Sequence, residues 1–361
     1  MRIAYVCSSL SLGGLELNHL RNALWMMERG HDVKVFAVLN SPLYQKAAQM
    51  GLPCFPIKHQ RKYYDWFAAF KLATVLKEAS ISHVFFRDNR DMSLIATVKA
   101  RLGRSIVTAY FMEMQLGVKK TGLLHTLRFR YIDFWFCPLP FLVNQVRNWT
   151  KIDPSKIKLV PSGMDLSWAQ NTNKPEAREK LNLPKDNFLF GLIGRFDVQK
   201  GQLLVLEAMK LCKNQKFTLV FLGEPTRNEN NHVFETMQKL IIENHWENRV
   251  FIRPFMDDVR MFYSAIDALI MATKAETFGM VTLEAIAHKV PVLGSNAGGT
   301  PDLICGDEFG ILFKSLDAHD LAKAMDIIQV SPLTFNLQRR EQHLTQFNYP
   351  NVCKSIEYVL D

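Results

Sequence analysis

The stretch "DALIMATKAETFGMVTLEAIAHKVPVLGSN", Asp267 to Asn296, sets two short apolar runs around a longer segment of helical spacing. "DALIMAT" and "VPVLGSN" read as strands buried on both faces, and the segment from about Gly279 reads as a helix. Strand, helix and strand in succession make one βαβ unit, which implies a parallel sheet with its crossover helix packed on one face. Glu276 precedes the Phe278–Gly279 pair, and Glu284 follows eight positions later inside the helix. Burial periodicity alone explains neither glutamate.

Working outward, the same rhythm fills the chain. Upstream, "NFLFGLIGR", "GQLLVLEAMKLC", "FTLVFLG", "VFETMQKLIIENHW", "VFIRPF" and "VRMFYSAI" alternate strand and helix. Nearer the start, "RIAYVCS", "LELNHLRNALWMMERG", "DVKVFAV", "PLYQKAAQMG", "PCFPI", "WFAAFKLATVLKEA" and "HVFF" do the same. A stretch rich in Pro, Asn, Ser and charge, "KLVPSGMDLSWAQNTNKPEAREKLNLPKDN", separates the two series. The expected fold is α/β, with two Rossmann-like doubly wound domains and a boundary near residue 165.

Bulk properties fit that plan. At 361 residues the chain exceeds one comfortable core. With 48% hydrophobic and 22% charged residues, neither disorder nor a fibrous architecture is expected. The formal charge of +9 points to an anionic partner. No recognition motif with stacking aromatics supports nucleic acid. Six cysteines lie scattered without CxxC or zinc spacing, as buried thiols in a reducing compartment would. The opening "MRIAYVCSSLSLGG" reads as a strand and a glycine turn rather than a signal peptide. "YIDFWFCPLPFLVNQV" is interrupted by Asp133, Pro138, Pro140 and Asn144, short of the roughly 20 apolar residues that span a bilayer. A soluble, cytoplasmic protein is expected.

In parallel α/β domains ligands gather where strands end and helix N-termini begin, and those termini favour phosphate. Four places qualify. "SLSLGGLELNH" places Gly13 and Gly14 after the first strand, although its spacing is not GxGxxG. "GRFDVQKG" carries Arg195 and Lys200 between Gly194 and Gly201, a planar fork and a mobile point charge for a diphosphate. Around Gly279, the amides of Phe278, Gly279 and Met280 would meet an anion. Glu284 would stand about 7 Å along the axis from them. Glu276 and Glu284 would then flank the anion and accept bonds from hydroxyl-rich groups. A capping Glu276 and a solvated Glu284 is the alternative. In "NAGGTPDLI", Thr300 is the expected N-cap and Pro301 the first helical residue, after Gly298 and Gly299.

In their order, "GRFDVQKG", "ETFGMVTLE" and "GGTPDLI" resemble the family 4 retaining glycosyltransferases, whose GT-B fold faces two such domains across a cleft. The resemblance implies that Arg195 and Lys200 neutralise the donor diphosphate. It further implies that Glu284 holds the nucleotide ribose, and that Glu276 with the following amides holds the transferred sugar. Gly14 resembles the glycine that closes over the donor phosphates, and "PSGMD" (161–165) an interdomain stretch. On that likeness the domains run 1–165 and 166–340, and 341–361 forms a helix crossing back to the first. A nucleotide sugar is the expected substrate, with UDP the commonest carrier in the family, and no cofactor is expected. Many members place a histidine where this chain has Tyr110, a poor general base near neutral pH. His125 is the other residue considered for that place.

The suggested reaction moves a sugar from a nucleotide diphosphate to an acceptor hydroxyl with retention, as in cell-surface polysaccharide or lipopolysaccharide synthesis. No DxD motif is present, so independence of metal is expected. Arg87, Asp88 and Asp91 in "RDNRD" follow "HVFF" at the acceptor end of the first sheet. From 101 to 160 there are ten Lys/Arg against three Asp/Glu, with Phe129, Tyr131, Phe134, Trp135 and Phe136 among them. That mixture suits peripheral attachment to an anionic membrane and a lipid-linked or saccharide acceptor; a helix packed against the sheet, burying most of these aromatics, is the alternative. An epimerase or phosphorylase on the same fold, or a non-catalytic nucleotide-sugar-binding subunit, is the competing reading.

Overall fold

The structure is a computed structural model that describes residues 1–59, 65–167, 169, 172–225 and 231–361. Trp168, Gln170 and Asn171 of the charged linker stretch lie outside the described residues. The chain packs as two units, Met1–Met164 with Gln346–Asp361, and Asp165–Thr345.

The first unit runs β1 (Arg2–Cys7), α1 (Gly14–Glu28), β2 (Asp32–Val38), α2 (Pro42–Gln49), β3 (Cys54–Ile57), α3 (Trp66–Glu78), β4 (His83–Phe86), α4 (Met92–Leu102), β5 (Val107–Phe111), α5 (Leu123–Arg130), β6 (Phe134–Cys137), α6 (Pro140–Trp149) and β7 (Ile157–Leu159). Its sheet is parallel throughout, in the order β3-β2-β1-β4-β5-β6-β7. Both faces are covered, so β1 is buried from Ile3 to Cys7 and reads as a continuous apolar run. Leu72, Ile95, Tyr110, Trp135 and Leu142 fill one face; Leu20, Met26, Phe85 and Phe136 fill the other.

The second unit runs α7 (Lys174–Lys180), β8 (Phe188–Ile193), α8 (Gln202–Leu211), β9 (Phe217–Leu222), α9 (His232–Glu243), β10 (Val250–Arg253), α10 (Arg260–Ala265), β11 (Ala268–Met271), α11 (Met280–Ala287), β12 (Val292–Ser295), α12 (Thr300–Ile304), β13 (Gly310–Phe313), α13 (Ala318–Val330) and α14 (Leu337–Thr345). Its parallel sheet is ordered β10-β9-β8-β11-β12-β13. Strand order reverses between β8 and β11, and such a switch point opens a crevice at the carboxyl ends of the strands. Two doubly wound parallel sheets are therefore present, as the strand–helix rhythm predicts.

The last helix, α15 (Tyr349–Leu360), belongs to the first unit. Val352, Cys353 and Ile356 enter its core, and Tyr349 stacks on Trp25 with centroids 4.8 Å apart. Arg29 grips Glu357 with two bonds of 2.7 and 2.5 Å, and His31 adds a third at 2.9 Å.

Three expectations need correction. Phe129, Trp135 and Phe136 are buried in the core of the first unit and Phe134 is half-buried, so of that aromatic cluster Tyr131 alone is exposed. Helix α12 begins at Thr300 with Gly299 as its cap, one residue earlier than the threonine N-cap expected. The charged stretch before residue 187 is not all linker, because Lys174–Lys180 is a helix. Its Arg178 is buried and donates to the carbonyls of Ala265, Lys185 and Asn187 and to Asp267.

Candidate active site

In the second unit, the loops after β8, β11 and β12 are knit together by the backbone. Lys274 N–H donates to the Gln199 carbonyl at 3.0 Å, and Gly299 N–H to the Glu276 carbonyl at 2.8 Å. Glu276 and Gly298 form an isolated parallel β-bridge. Gly298 sits at φ +63°, where a Cβ would stand 2.2 Å from the Glu276 carbonyl oxygen. Only glycine lets the third loop lie on the second. Gly201, at φ +79°, has the same role against Ala272, whose carbonyl would be 2.5 Å from an added Cβ. The glycines that flank the cationic loop and open the "GGTPDLI" turn thus set the position of Glu276.

Lys200 Nζ donates to Glu276 Oε2 at 3.0 Å, and both side chains are largely buried. The two residues are distant in sequence, yet the structure joins them at the carboxyl ends of β8 and β11. Arg195 shares the Lys200 loop but stays out on it, its side chain 64% exposed with Asp197 3.8 Å away. Asp197 shapes the loop by accepting from the amides of Gln199 and Lys200.

Phe278 and Gly279 are buried, Gly279 caps α11 in the left-handed region at φ +86°, and Met280 opens the helix. The first amides of a helix have no partner within it, so this end carries partial positive charge. Glu284, half-buried on the same helix, accepts from the Tyr263 hydroxyl at 2.8 Å. Burial, and then the Glu284 carboxylate, push the Tyr263 phenol well above its usual value, so it stays a donor. Tyr263 also stacks on His288, whose ring burial holds neutral. Tyr263 was not singled out from sequence, because a tyrosine in a short apolar helix carries no signal of its partner. The fixed position of Glu284 departs from a freely solvated helix face.

In the first unit Gly14 is the first residue of α1, and a Cβ there would meet no atom within 4 Å. Glu16, also missed, builds the preceding loop by accepting from Gly13 N–H at 2.9 Å and from Ser9 and Ser11. The "RDNRD" residues are not free to meet hydroxyls, because all three are buried with protein partners. Arg87 pairs with Glu113 and lies over the Phe111 ring; Asp88 grips Arg90; Asp91 accepts from Ser8 N–H and Oγ. Burial raises the Asp91 carboxyl to about 7, with the Ser8 bonds opposing that rise. Tyr110 lies in the core against Phe86 and Trp135, its phenol raised by burial. His125 stands on α5 with Nδ1 2.6 Å from Arg128 Nη2. Both line one cavity of the first unit.

Among the described residues, no group of three His, Cys, Asp or Glu side chains is gathered as a metal site requires. The six cysteines are free thiols; four are buried, whereas Cys305 is exposed.

The chain has counterparts among solved structures. It superposes on HepE from Anabaena, solved in complex with UDP, with a TM-score of 0.87 over 100% of this chain and 99% of that one, at 17% identity. The fold is the GT-B fold of glycosyltransferases. Residues 173–340, most of the second unit, match the family model described as glycosyl transferases group 1.

Two curated relatives cover less of the chain. A 41.2 kDa protein in the cps region of Klebsiella pneumoniae is 27% identical over 48% of this chain and 46% of its own length. The UDP-Gal:alpha-D-GlcNAc-diphosphoundecaprenol alpha-1,3-galactosyltransferase of Escherichia coli is 25% identical over 58% and 54%. The chain spans about half the length of the curated relatives it matches.

Proposed function

We propose that the protein is a retaining glycosyltransferase that moves a sugar from a nucleotide diphosphate sugar, a UDP-sugar by family frequency, to an acceptor hydroxyl. The observation that carries this reading is the Lys200–Glu276 pair, 3.0 Å apart, beside the mouth of α11 at a topological switch point. A diphosphate seated on the α11 amides meets Lys200, with Arg195 reaching in from the same loop. Glu276 then faces the sugar, and Glu284, steadied by Tyr263, faces the ribose.

In the reaction the anomeric C–O bond to the diphosphate breaks and the diphosphate keeps the electron pair. The acceptor oxygen bonds to the same carbon on the face the diphosphate leaves, and its proton passes to the departing phosphate oxygen. Fixed donors aimed at that growing charge supply the main stabilisation. The two cations and the helix amides take the part a metal plays elsewhere, so no metal is required.

The acceptor is a lipid-linked or saccharide hydroxyl of cell-surface polysaccharide or lipopolysaccharide. No helix among the described residues is long and apolar enough to cross a membrane. Val118, Leu123, Leu124 and Leu127 are exposed beside the exposed cations Lys119 and Arg130, and we assign peripheral contact with an anionic cytoplasmic leaflet to them. Retention of the protein on phosphatidylglycerol vesicles at low salt, lost in Leu123→Ser with Leu124→Ser, supports that contact; sedimentation without vesicle binding refutes it.

The reaction is tested with a panel of UDP-sugars and membrane lipid extract in excess chelator. Transfer to lipid with retained anomeric configuration is expected, together with a loss of about a hundredfold or more in Lys200→Ala. Epimerised nucleotide sugar without transfer, strict dependence on Mn²⁺, or full activity in the variant contradicts the reading.

A further inference from the structure

A cavity of about 260 Å³ opens in the first unit beside β5, β6, α4 and α5. Part of its wall is apolar and aromatic, and part is polar. Tyr110, Phe129 and Trp135 form a box of edge-to-face rings, with Tyr110–Trp135 centroids at 4.8 Å and Phe129–Trp135 at 5.0 Å. Met92 and Leu116, both buried, complete the walls. At this size, below the roughly 300–1,000 Å³ of sites for drug-sized ligands, it takes one ring rather than a nucleotide.

The polar lining is one-sided. Lys120, His125 and Arg128 line the cavity with the amides of Asn89 and Gln115, and no carboxylate is among the lining residues. The Arg128 guanidinium is held in place. Arg128 Nη1 donates to Ser93 Oγ at 3.1 Å and Nε to the Leu124 carbonyl at 3.2 Å. His125 Nδ1 faces Arg128 Nη2 at 2.6 Å. The segment bearing Lys120 is pinned at both ends, by Leu116 N–H to Gln145 at 3.0 Å and by Lys120 N–H to the Trp149 carbonyl at 2.7 Å.

Aromatic faces suit the C–H face of a pyranose, side-chain amides suit its hydroxyls, and fixed cations suit an anionic substituent. We infer that this cavity binds an acidic sugar residue of the acceptor, one ring bearing a carboxylate or a phosphate. The inference rests on the glycosyltransferase reading for the word acceptor, while the binding preference itself does not depend on turnover.

The test measures binding to the full chain with UDP in excess, titrating D-glucuronate, glucose 6-phosphate, D-glucose and inorganic phosphate by calorimetry or ligand-observed NMR. At least one acidic sugar is expected to bind about tenfold or more tighter than both glucose and phosphate, as a charge-assisted hydrogen bond implies. Which acidic sugar wins tells carboxylate from phosphate. Arg128→Gln with Lys120→Gln should erase the preference while leaving UDP affinity unchanged. Glucose matching both acidic sugars, or phosphate alone matching them, overturns the inference; so does a preference that survives the double variant. The preference of the parent protein decides the matter even if the variant fails to fold. Titrations repeated without UDP read the same cavity if the donor reading fails.

Discussion

Lys200 and Glu276 pair at 3.0 Å where the loops after β8 and β11 meet. A partly exposed ion pair of this kind contributes little to stability, about 1 kcal/mol or less. Its substitution should therefore separate folding from function: Lys200→Ala unfolds in denaturant close to the parent yet turns over poorly. Matched losses of stability and activity would instead make the pair structural. Gly298→Ala should behave in the opposite way. It forces a side chain into the left-handed region and against the Glu276 carbonyl, costing roughly 1–3 kcal/mol and displacing Glu276. An unfolding midpoint and turnover equal to the parent's would show that the bridge is dispensable. At Asp91 the sign is set by a carboxyl raised from 3.8 to about 7. Its stabilising neutral form is fully present below pH 4 and is lost as pH rises through about 7. Asp91→Asn should gain on the parent between pH 4 and 7 in urea unfolding. A pH-independent difference counts against the buried carboxyl.

Helices and strands were the most legible level, since period and punctuation are local properties. The βαβ unit around Glu276 and the glycine before α11 could be read directly, because apolar strands flank a helix that needs a left-handed cap. What the sequence hid was long-range. Lys174–Lys180 looks solvated until Arg178 is seen gripping the carbonyls of Ala265, at the end of α10, and Asn187, just before β8. Phe129, Trp135 and Phe136 look like a surface patch until sheet packing turns them inward. Likewise Glu113 and Tyr263 have no local signal, because their partners Arg87 and Glu284 are brought by the fold.

Helix α15 gives a test at this scale. Arg29 and then His31 hold the Glu357 carboxyl down at about 2, from 4.5, against the opposing pull of burial. That contribution is present above pH 4.5 and disappears as pH falls through about 2. Relative to the intrinsic rate, which itself slows in acid, amide exchange in Tyr349–Leu360 should accelerate at low pH more than exchange in α1. In Glu357→Gln it should already be fast at pH 6. Equal exchange of α1 and α15 at every pH would show that the triad does not hold the helix.

For the molecule as a whole, two parallel sheets place their strand ends where chemistry collects. The elements we propose for the donor lie in the second unit, most of which the family model covers, and the aromatic cavity lies in the first. That division accounts for why the second unit was the more readable. A nucleotide diphosphate makes the same demands wherever it binds, whereas an acceptor pocket answers to one ligand and leaves no general spacing in the sequence. The most direct measurement is a calorimetric titration of UDP into the parent protein, Lys200→Ala and Glu284→Gln. The account predicts a single site per chain, weakened about tenfold or more in each variant by the lost charged contact. Equal affinity in all three proteins, or no binding to the parent, would contradict it.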